Sequence, residues 1–178
     1  HETAYLQMAH EFLGLSCENV QIVYGDTDAV PHGRGTFGSR TMMAFGAAFV
    51  RAAQKVIEKG RLIAAHLLNA PGSAIEFRDG YFSVAGTTRN ISLAEVAIAS
   101  FVPSRMPLGL EIGLQETAIV ALEQATYPNG CHICEVEIDP QTGMTGIVAY
   151  NVVDDVGVLI NPMLVKGQIQ GGVAQGAG

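Results

Sequence analysis

Charged residues are scarce in this chain of 178 residues. Only 15% of its positions are Asp, Glu, Lys or Arg, while 48% are apolar, and a typical globular domain has about 25% charged residues. The length and the apolar content suffice for one compact domain and exclude a disordered tail. Because so few charges are available to cover a free-standing surface, we expect a piece of a larger protein. Both ends, without an initial Met and within a glycine-rich pattern, are expected to be cut.

Basic residues, cysteines and long apolar runs are also few. The chain has 10 Lys and Arg against 17 Asp and Glu, a net charge of −7, whereas a nucleic-acid binder needs a cationic face to displace counterions. The cysteines, 3 in all, imply no disulfide framework and fit a reducing compartment, the cytoplasm. The longest apolar run, residues 42–50, is far shorter than the ~20 residues that cross a bilayer. We therefore expect no nucleic-acid partner and no membrane segment.

The hydrophobic pattern predicts an α+β fold with mixed or antiparallel strands and one long buried helix. The stretch MMAFGAAFV at residues 42–50 is apolar on every side, which predicts a helix over residues 41–68 that is buried all round. Asp79-Gly80 between two β-rich tetrads predicts a tight hairpin over residues 75–84. The other predicted elements are a helix over 2–15 ending near Gly14, a short helix opened by a Ser92–Glu95 capping box, strands over 20–24, 131–138 and 145–153, and a helix after Asn161-Pro162.

Two further expectations concern the C-terminal third. Apolar residues occupy both faces of the strand at residues 145–153, which predicts a central position in a sheet. Cys131 and Cys134 have the spacing of a C-x-x-C metal clip, but residues three apart on a strand point to opposite faces, and no second pair of ligands exists. We therefore expect both cysteines to be buried structural thiols and expect no metal ligand from the protein.

Residues 33–38 match the dinucleotide-binding pattern G-x-G-x-x-G. That fingerprint requires a strand that runs straight into its first glycine, whereas a loop that includes Pro31 separates Tyr24 from Gly33. A nicotinamide- or flavin-binding domain therefore remains an alternative, which a strand ending at Gly33 would favour. A second alternative is a cofactor-free assembly module, whose apolar excess would form a subunit interface.

A more general anion site lies where this loop enters the long predicted helix. The free amides of the helix start, the hydroxyls of Ser39 and Thr41 and the guanidinium of Arg40 would converge there. The helix dipole contributes only about 0.3–1 kcal/mol at an exposed helix end, whereas a charge-assisted hydrogen bond contributes about 1.5–3 kcal/mol, so Arg40 should dominate. The competing interpretation makes Ser39 and Thr41 helix caps and Arg40 a solvated charge.

Polar residues near the C-terminus offer a second candidate group. Asp154 and Asp155 are adjacent on a strand, so only one of them can enter a given site, and an Asx turn at the strand end is the competing interpretation. Gln168, Gln170 and Gln175 lie among glycines, where their amides could read the edge of a heterocycle or could simply be polar helix surface.

Four sequence blocks occur in a characteristic order: HETAYLQMAHEFLG, GDTDAVPHGRGTFGSRTM, YPNGCHICEVEIDPQTG and VVDDVGVLINPMLVKGQIQGGVAQGAG. In order and spacing they resemble the molybdenum-binding large subunit of the xanthine dehydrogenase, aldehyde oxidase and carbon monoxide dehydrogenase family. The resemblance covers essentially the whole chain. Because the family's large subunit is several times longer, the resemblance implies that residues 1–178 are an interior part of its molybdopterin-binding domain.

The resemblance implies a molybdenum cofactor, either molybdopterin or its cytosine dinucleotide form. The residues that match the family loop gripping the nucleotide phosphates are Thr36, Phe37, Gly38, Ser39, Arg40 and Thr41. The residues that match the stretch closing over the pterin and the nucleotide are Asp155, Asn161, Gln168 and Gln175. His1 matches a family histidine that follows Gly-Gln-Gly. The family loop therefore coincides with the anion site inferred from the residues themselves.

The resemblance also implies which functions lie elsewhere. The family's general base is a Glu in a Pro-Leu-Gly-Glu-like segment, whereas here Leu110 follows Pro107-Leu108-Gly109, so we expect no catalytic residue in this chain. The implied parent is an oxidoreductase for an aldehyde, an N-heteroaromatic compound or carbon monoxide. FAD and 2Fe-2S clusters would lie on partner subunits or domains, in a dimer of heterotrimers, and the chain alone would be inactive.

Overall fold

The computed structural model describes residues 1–122 and 124–178, which divide into two compact units. The first unit is His1–Leu122, and the second begins after Leu122 and extends to Gly178. The first contains α1 (Glu2–Leu13), α2 (Thr41–Leu67), β1 (Ile75–Arg78), β2 (Tyr81–Val84), β3 (Asn90–Ser92) and α3 (Leu93–Ala99). The second contains β4 (Asn129–Ile138), β5 (Thr145–Asp155) and α4 (Pro162–Ala177). The α+β class with antiparallel strands is confirmed.

The core of the first unit lies between α2 and a small sheet. Strands β1, β2 and β3 pair antiparallel in that order, and the predicted turn at Asp79 and Gly80 has φ values of +50° and +81°. Helix α2 approaches the sheet closely at Gly60, where a Cβ atom would lie 2.5 Å from Cζ of Phe82. The buried core residues are Ile63, Ala64, Ala65, Ile75, Phe82, Val84, Leu93, Val96 and Met106.

The ends of two helices follow the sequence signals. Helix α1 ends at Gly14, which has φ +64°, and a side chain there would overlap the backbone of Asp79 and Gly80. Glycine is therefore needed both for the left-handed conformation and for the close approach of the hairpin turn. Helix α3 opens with the predicted capping box, in which the Ser92 hydroxyl accepts from the Glu95 N–H and the Glu95 carboxylate accepts from the Ser92 N–H.

Two predictions for this unit need correction. Residues 20–24 do not form a strand, because a strand needs a hydrogen-bonding partner and no described residue pairs with them. Helix α2 is not buried all round: between Thr41 and Val50 only Gly46 is buried. The burial lies in the second half, at Ala53, Gly60, Ile63, Ala64 and Ala65, because that half packs on the sheet, whereas the apolar first half packs on α1.

The second unit is a two-stranded ribbon followed by a helix. Strands β4 and β5 pair antiparallel, with one irregularity between Glu135 and Val136. In the turn between them, hydrogen bonds from the Gln141 N–H and the Thr142 hydroxyl lower the pKa of Asp139. This is the predicted short turn at residues 139–143.

The structure corrects two predictions for the second unit. In the described part of the chain β5 pairs with β4 alone, so it is not a central strand, and neither strand has a buried residue. Cys131 and Cys134 are accordingly exposed instead of buried. The apolar pattern of residues 131–153 predicts buried side chains, but pairing of β5 with β4 alone does not bury them. Over residues 1–122 and 124–178, no helix combines the length and the apolarity needed to cross a membrane.

Candidate functional site

The predicted anion loop ends in a tight turn directly before α2. Gly38 and Ser39 have φ values of +58° and +55°, and the Arg40 N–H donates to the Phe37 carbonyl at 3.3 Å. Positive φ at both central residues is typical of a type I′ turn, and glycine at the first of them avoids strain. The glycine therefore lets the chain reverse immediately at the N-terminus of the helix.

The side chains of this loop contact one another around Arg40. The Arg40 guanidinium lies 5.0 Å from the ring centre of Phe37, a cation–π arrangement. The Thr41 hydroxyl donates to the Thr36 hydroxyl oxygen at 3.0 Å. Among the residues that the structure describes, no carboxylate pairs with Arg40. Phe37 therefore orients the positive charge, and no carboxylate in the described part of the chain neutralises it.

The main chain of the turn adds uncharged donors beside this charge. No hydrogen bond between described residues takes up the amide N–H of Gly38 or Ser39. Arg40 occupies the N-cap position of α2, and its side chain makes no capping hydrogen bond. The competing interpretation of Ser39 and Thr41 as caps is therefore wrong. Free amides, a helix N-terminus and a guanidinium together make this exposed turn electropositive, an arrangement that favours an anion.

An aromatic cluster holds the start of the loop against the helices. The Tyr5 ring stacks on Phe45 with centroids 3.6 Å apart, and Tyr24 meets Tyr5 edge to face at 6.4 Å. Burial, with a smaller contribution from Tyr24, raises the pKa of Tyr5. His1, the N-cap residue of α1, lies 5.8 Å from the Tyr5 ring. These contacts connect α1, α2 and the entry of the loop.

The second group of predicted residues lies at the end of β5 and along α4. The Asp155 carboxylate accepts from the Gly157 N–H at 2.9 Å, which is the Asx turn of the competing interpretation. Asn161 caps α4 by accepting from the Leu164 N–H at 3.1 Å. Both side chains therefore shape the main chain that leads from the strand to the helix.

Gln168 and Gln175 share one face of α4. They are exposed and lie seven positions, two helical turns, apart, which puts them above one another. Gly171 and Gly172 lie between them on the same face, so the surface there is bare backbone with an amide group at each end. Gln170 falls on another face.

His132, Tyr150 and Asp154 form a polar cluster on the ribbon that no local sequence pattern predicts. The signal was the strand register, since a short turn between two strands fixes which residues stand opposite each other. Within the described part of the chain, no group of three or more His, Cys, Asp and Glu residues could hold a metal ion. The described residues also form no strand that ends at Gly33, so the nicotinamide or flavin alternative lacks its required feature.

Comparison with known proteins shows the family of the chain. Residues 1–178 match the family model of the molybdopterin cofactor-binding domain. The chain is 37% identical over 177 residues to the carbon monoxide dehydrogenase large chain of Hydrogenophaga pseudoflava, covering 99% of this chain and 22% of that protein. It is 37% identical over 180 residues to the nicotine 6-hydroxylase large subunit of Paenarthrobacter nicotinovorans, covering 100% of this chain and 22% of that protein. The crystal structure of a Cu,Mo-CO dehydrogenase in the carbon monoxide reduced state matches with a TM-score of 0.88 and 36% identity, covering 97% of this chain and 22% of that chain.

The fold is that of a segment from the large subunit of a molybdenum enzyme. More narrowly, the chain belongs to the molybdopterin cofactor-binding domain family, as the sequence resemblance implied. It spans 22% of the length of both curated relatives.

Proposed function

We propose that this chain is the cofactor-binding part of a longer molybdenum hydroxylase large subunit and holds molybdopterin in its cytosine dinucleotide form. The observation that carries the proposal is the turn at residues 37–40, which offers amides free of hydrogen bonds and an arginine that no carboxylate of residues 1–122 or 124–178 pairs with, at the start of α2. A diphosphate has the negative charge and the oxygen acceptors that such donors bind.

Each residue of the loop has a distinct part in this proposal. Arg40 would donate the charged hydrogen bonds, and its stacking on Phe37 limits the freedom that it loses on binding. The amides of Gly38 and Ser39 would donate to the same anion. Thr36 accepts from Thr41, so its own hydroxyl hydrogen remains available as a further donor.

The residues of the second unit would contact the organic part of the cofactor. Gln168 and Gln175 present amides that both donate and accept, as the edge of a pterin requires, with Gln175 the main contact. Asp155 and Asn161 would hold the connecting main chain around the cofactor through the hydrogen bonds described above. His1 would add a contact at the start of α1.

The proposed division of labour leaves chemistry to other parts of the enzyme. When bound, the cofactor would supply the redox chemistry on a small-molecule substrate. The residues of this chain would hold and orient the cofactor. The general base would lie outside the chain, and 2Fe-2S clusters and FAD would lie on partner subunits or domains of a dimer of heterotrimers. By analogy with the named relatives, the substrate is carbon monoxide or an N-heteroaromatic compound, and the family resemblance adds an aldehyde as a third candidate.

Arg40→Ala in the complete subunit tests this proposal. Loss of a charge-assisted hydrogen bond of about 1.5–3 kcal/mol corresponds to roughly 10- to 150-fold weaker binding, so we expect lower cofactor occupancy. The measurement is the molybdenum and the cytidine nucleotide released per subunit on denaturation. Arg34→Ala is the matched control, because Arg34 is exposed in the same loop and has no ion pair among the described residues.

The possible outcomes separate the hypotheses. Unchanged molybdenum and nucleotide content in the Arg40→Ala protein would contradict the role of the loop. If the wild-type subunit releases molybdenum but no cytidine nucleotide, the chain binds molybdopterin and the dinucleotide form is rejected. A wild-type subunit without molybdenum would favour the assembly module.

A further inference from the structure

Three polar side chains outside the proposed cofactor contacts meet on one face of the β4–β5 ribbon. His132 Nε2 lies 3.2 Å from Asp154 Oδ1, and His132 Nδ1 lies 3.4 Å from the Tyr150 hydroxyl oxygen. The register explains the meeting: His132 stands opposite Val152, so Tyr150 and Asp154 are its two diagonal neighbours on that face. The imidazole therefore connects two positions of β5 from the neighbouring strand.

Gly130 makes room for this arrangement. It stands directly opposite Asp154, and a Cβ atom on residue 130 would overlap the Asp154 carboxylate. The carboxylate thus lies over the bare backbone of β4, with its side chain only 16% exposed, against 43% for His132. Gly130 does not have a left-handed φ. Glycine is therefore needed at this position because it has no side chain, and not because of its conformational freedom.

Both ring nitrogens of His132 have a hydrogen-bonding partner in the cluster. In the tautomer with its proton on Nε2, Nε2–H donates to the Asp154 carboxylate and Nδ1 accepts from the Tyr150 hydroxyl. The imidazole is therefore held at both nitrogens by side chains of β5.

The position of the cluster suggests what it holds. Asp154 immediately precedes Asp155, whose Asx turn with Gly157 directs the chain toward the cap of α4 at Asn161. We propose that His132 and Asp154 form a brace that positions residues 155–161 for the cofactor. This inference rests on the proposed function, because it takes Asp155 and Asn161 as part of the cofactor site. His132 and Asp154 are positioning residues and do not themselves contact the cofactor.

Gly130→Ala in the complete subunit tests the brace without removing any hydrogen-bonding group. Its added methyl displaces the Asp154 carboxylate, so we expect roughly tenfold weaker cofactor binding, by analogy with groups that orient metal ligands, and therefore less molybdenum and nucleotide per subunit. Gly146→Ala is the matched control, since Gly146 lies in the same ribbon opposite Glu137 and a Cβ atom there meets nothing within 4 Å. Its cofactor content should equal that of the wild type.

A second pair of variants separates positioning from stability. Asp154→Asn keeps an oxygen that accepts from His132 and should retain most of the cofactor, whereas Asp154→Ala should lose about as much as Gly130→Ala. The melting temperature of each apoprotein is measured in parallel. A lower apoprotein melting temperature for Gly130→Ala than for Gly146→Ala would assign the loss to stability and overturn the positioning role.

The remaining outcomes distinguish this inference from the proposed function. Equal cofactor content in the Gly130→Ala and Gly146→Ala proteins, with loss in the Arg40→Ala protein, would overturn the brace and leave the proposed function intact. A wild-type subunit without molybdenum would overturn both.

Discussion

At the scale of single residues, two glycines of helix α2 should respond in opposite directions to the same substitution. Gly60→Ala would push a methyl group into the ring of Phe82, which has no exposed surface and so cannot swing into solvent. Overpacking of this kind costs about 1–3 kcal/mol, more than the ~1 kcal/mol that alanine gains over glycine in a helix. We expect a net loss of roughly 1 kcal/mol in the free energy of unfolding.

Gly46→Ala is the internal reference for that experiment. A Cβ atom on residue 46 would lie 3.6 Å from Cε of Met8, an ordinary contact, so the helix gain of about 0.5–1 kcal/mol should remain. Denaturant unfolding of both variants checks the pair. An equal gain for both would show that Phe82 can move aside and that the helix and the sheet do not meet as closely as described.

The residues of the candidate site differ in how far sequence could predict them. Arg40 and its neighbours could be selected because glycines, hydroxyls and a guanidinium within six positions are a local pattern. The contact of Arg40 with the Phe37 ring could not be predicted. It depends on the positive φ values of the turn, which the glycine pattern allows but does not require. The pairing of His132 with Asp154 depends on the register between two strands, so no pattern among neighbouring residues predicts it.

At the scale of elements, the capping box of α3 makes stability depend on pH. The Ser92 hydroxyl, and then the Ser92 N–H, lower the pKa of Glu95 below its ordinary value of 4.5. A lowered folded-state pKa means that this contribution is complete above the ordinary pKa and is lost as pH falls through the folded-state value. We expect Ser92→Ala to destabilise the chain by about 1 kcal/mol at neutral pH and to weaken the loss of stability in acid.

The measurement is the free energy of unfolding between neutral and acidic pH. Ser104→Ala serves as the control, because Ser104 is exposed and its side chain has no hydrogen bond among the described residues. The same acid dependence in the Ser92→Ala and wild-type proteins would contradict the assignment of this effect to the capping box.

Elements were predictable where their causes lie within a few residues of each other. The hairpin turn at Asp79-Gly80, the cap at Gly14 and the capping box of α3 all have the predicted form. The predicted strand over residues 20–24 failed because pairing needs a distant partner, and β3, three residues long, has no periodic signal. The prediction that α2 is buried on all sides was wrong, because an apolar pattern shows that a helix can be buried but does not show which element packs against it.

At the scale of the whole molecule, the two units differ in what holds them together. Every buried hydrophobic residue that the structure describes lies in the first unit, whereas β4, β5 and α4 contain no buried residue. Large apolar side chains such as Ile133 and Val153 are 60% and 76% exposed. In this chain the second unit therefore has backbone hydrogen bonds but little hydrophobic stabilisation, the term that dominates folding.

Amide hydrogen exchange on the 178-residue chain should reveal this difference. The amides of α2 near Ile63 and of β2 near Phe82 surround side chains with no exposed surface, so they should exchange only on global unfolding. A two-stranded ribbon is at best marginally stable in water, and each of the glycines within α4 costs about 1 kcal/mol relative to alanine. We expect protection in β4, β5 and α4 to be about 100-fold or more lower than in the core of the first unit. Equal protection of the amides in both units would contradict this division if it persists on dilution, which removes contacts between copies of the chain. Such protection would require buried apolar surface in the second unit, where β4, β5 and α4 have no buried residue.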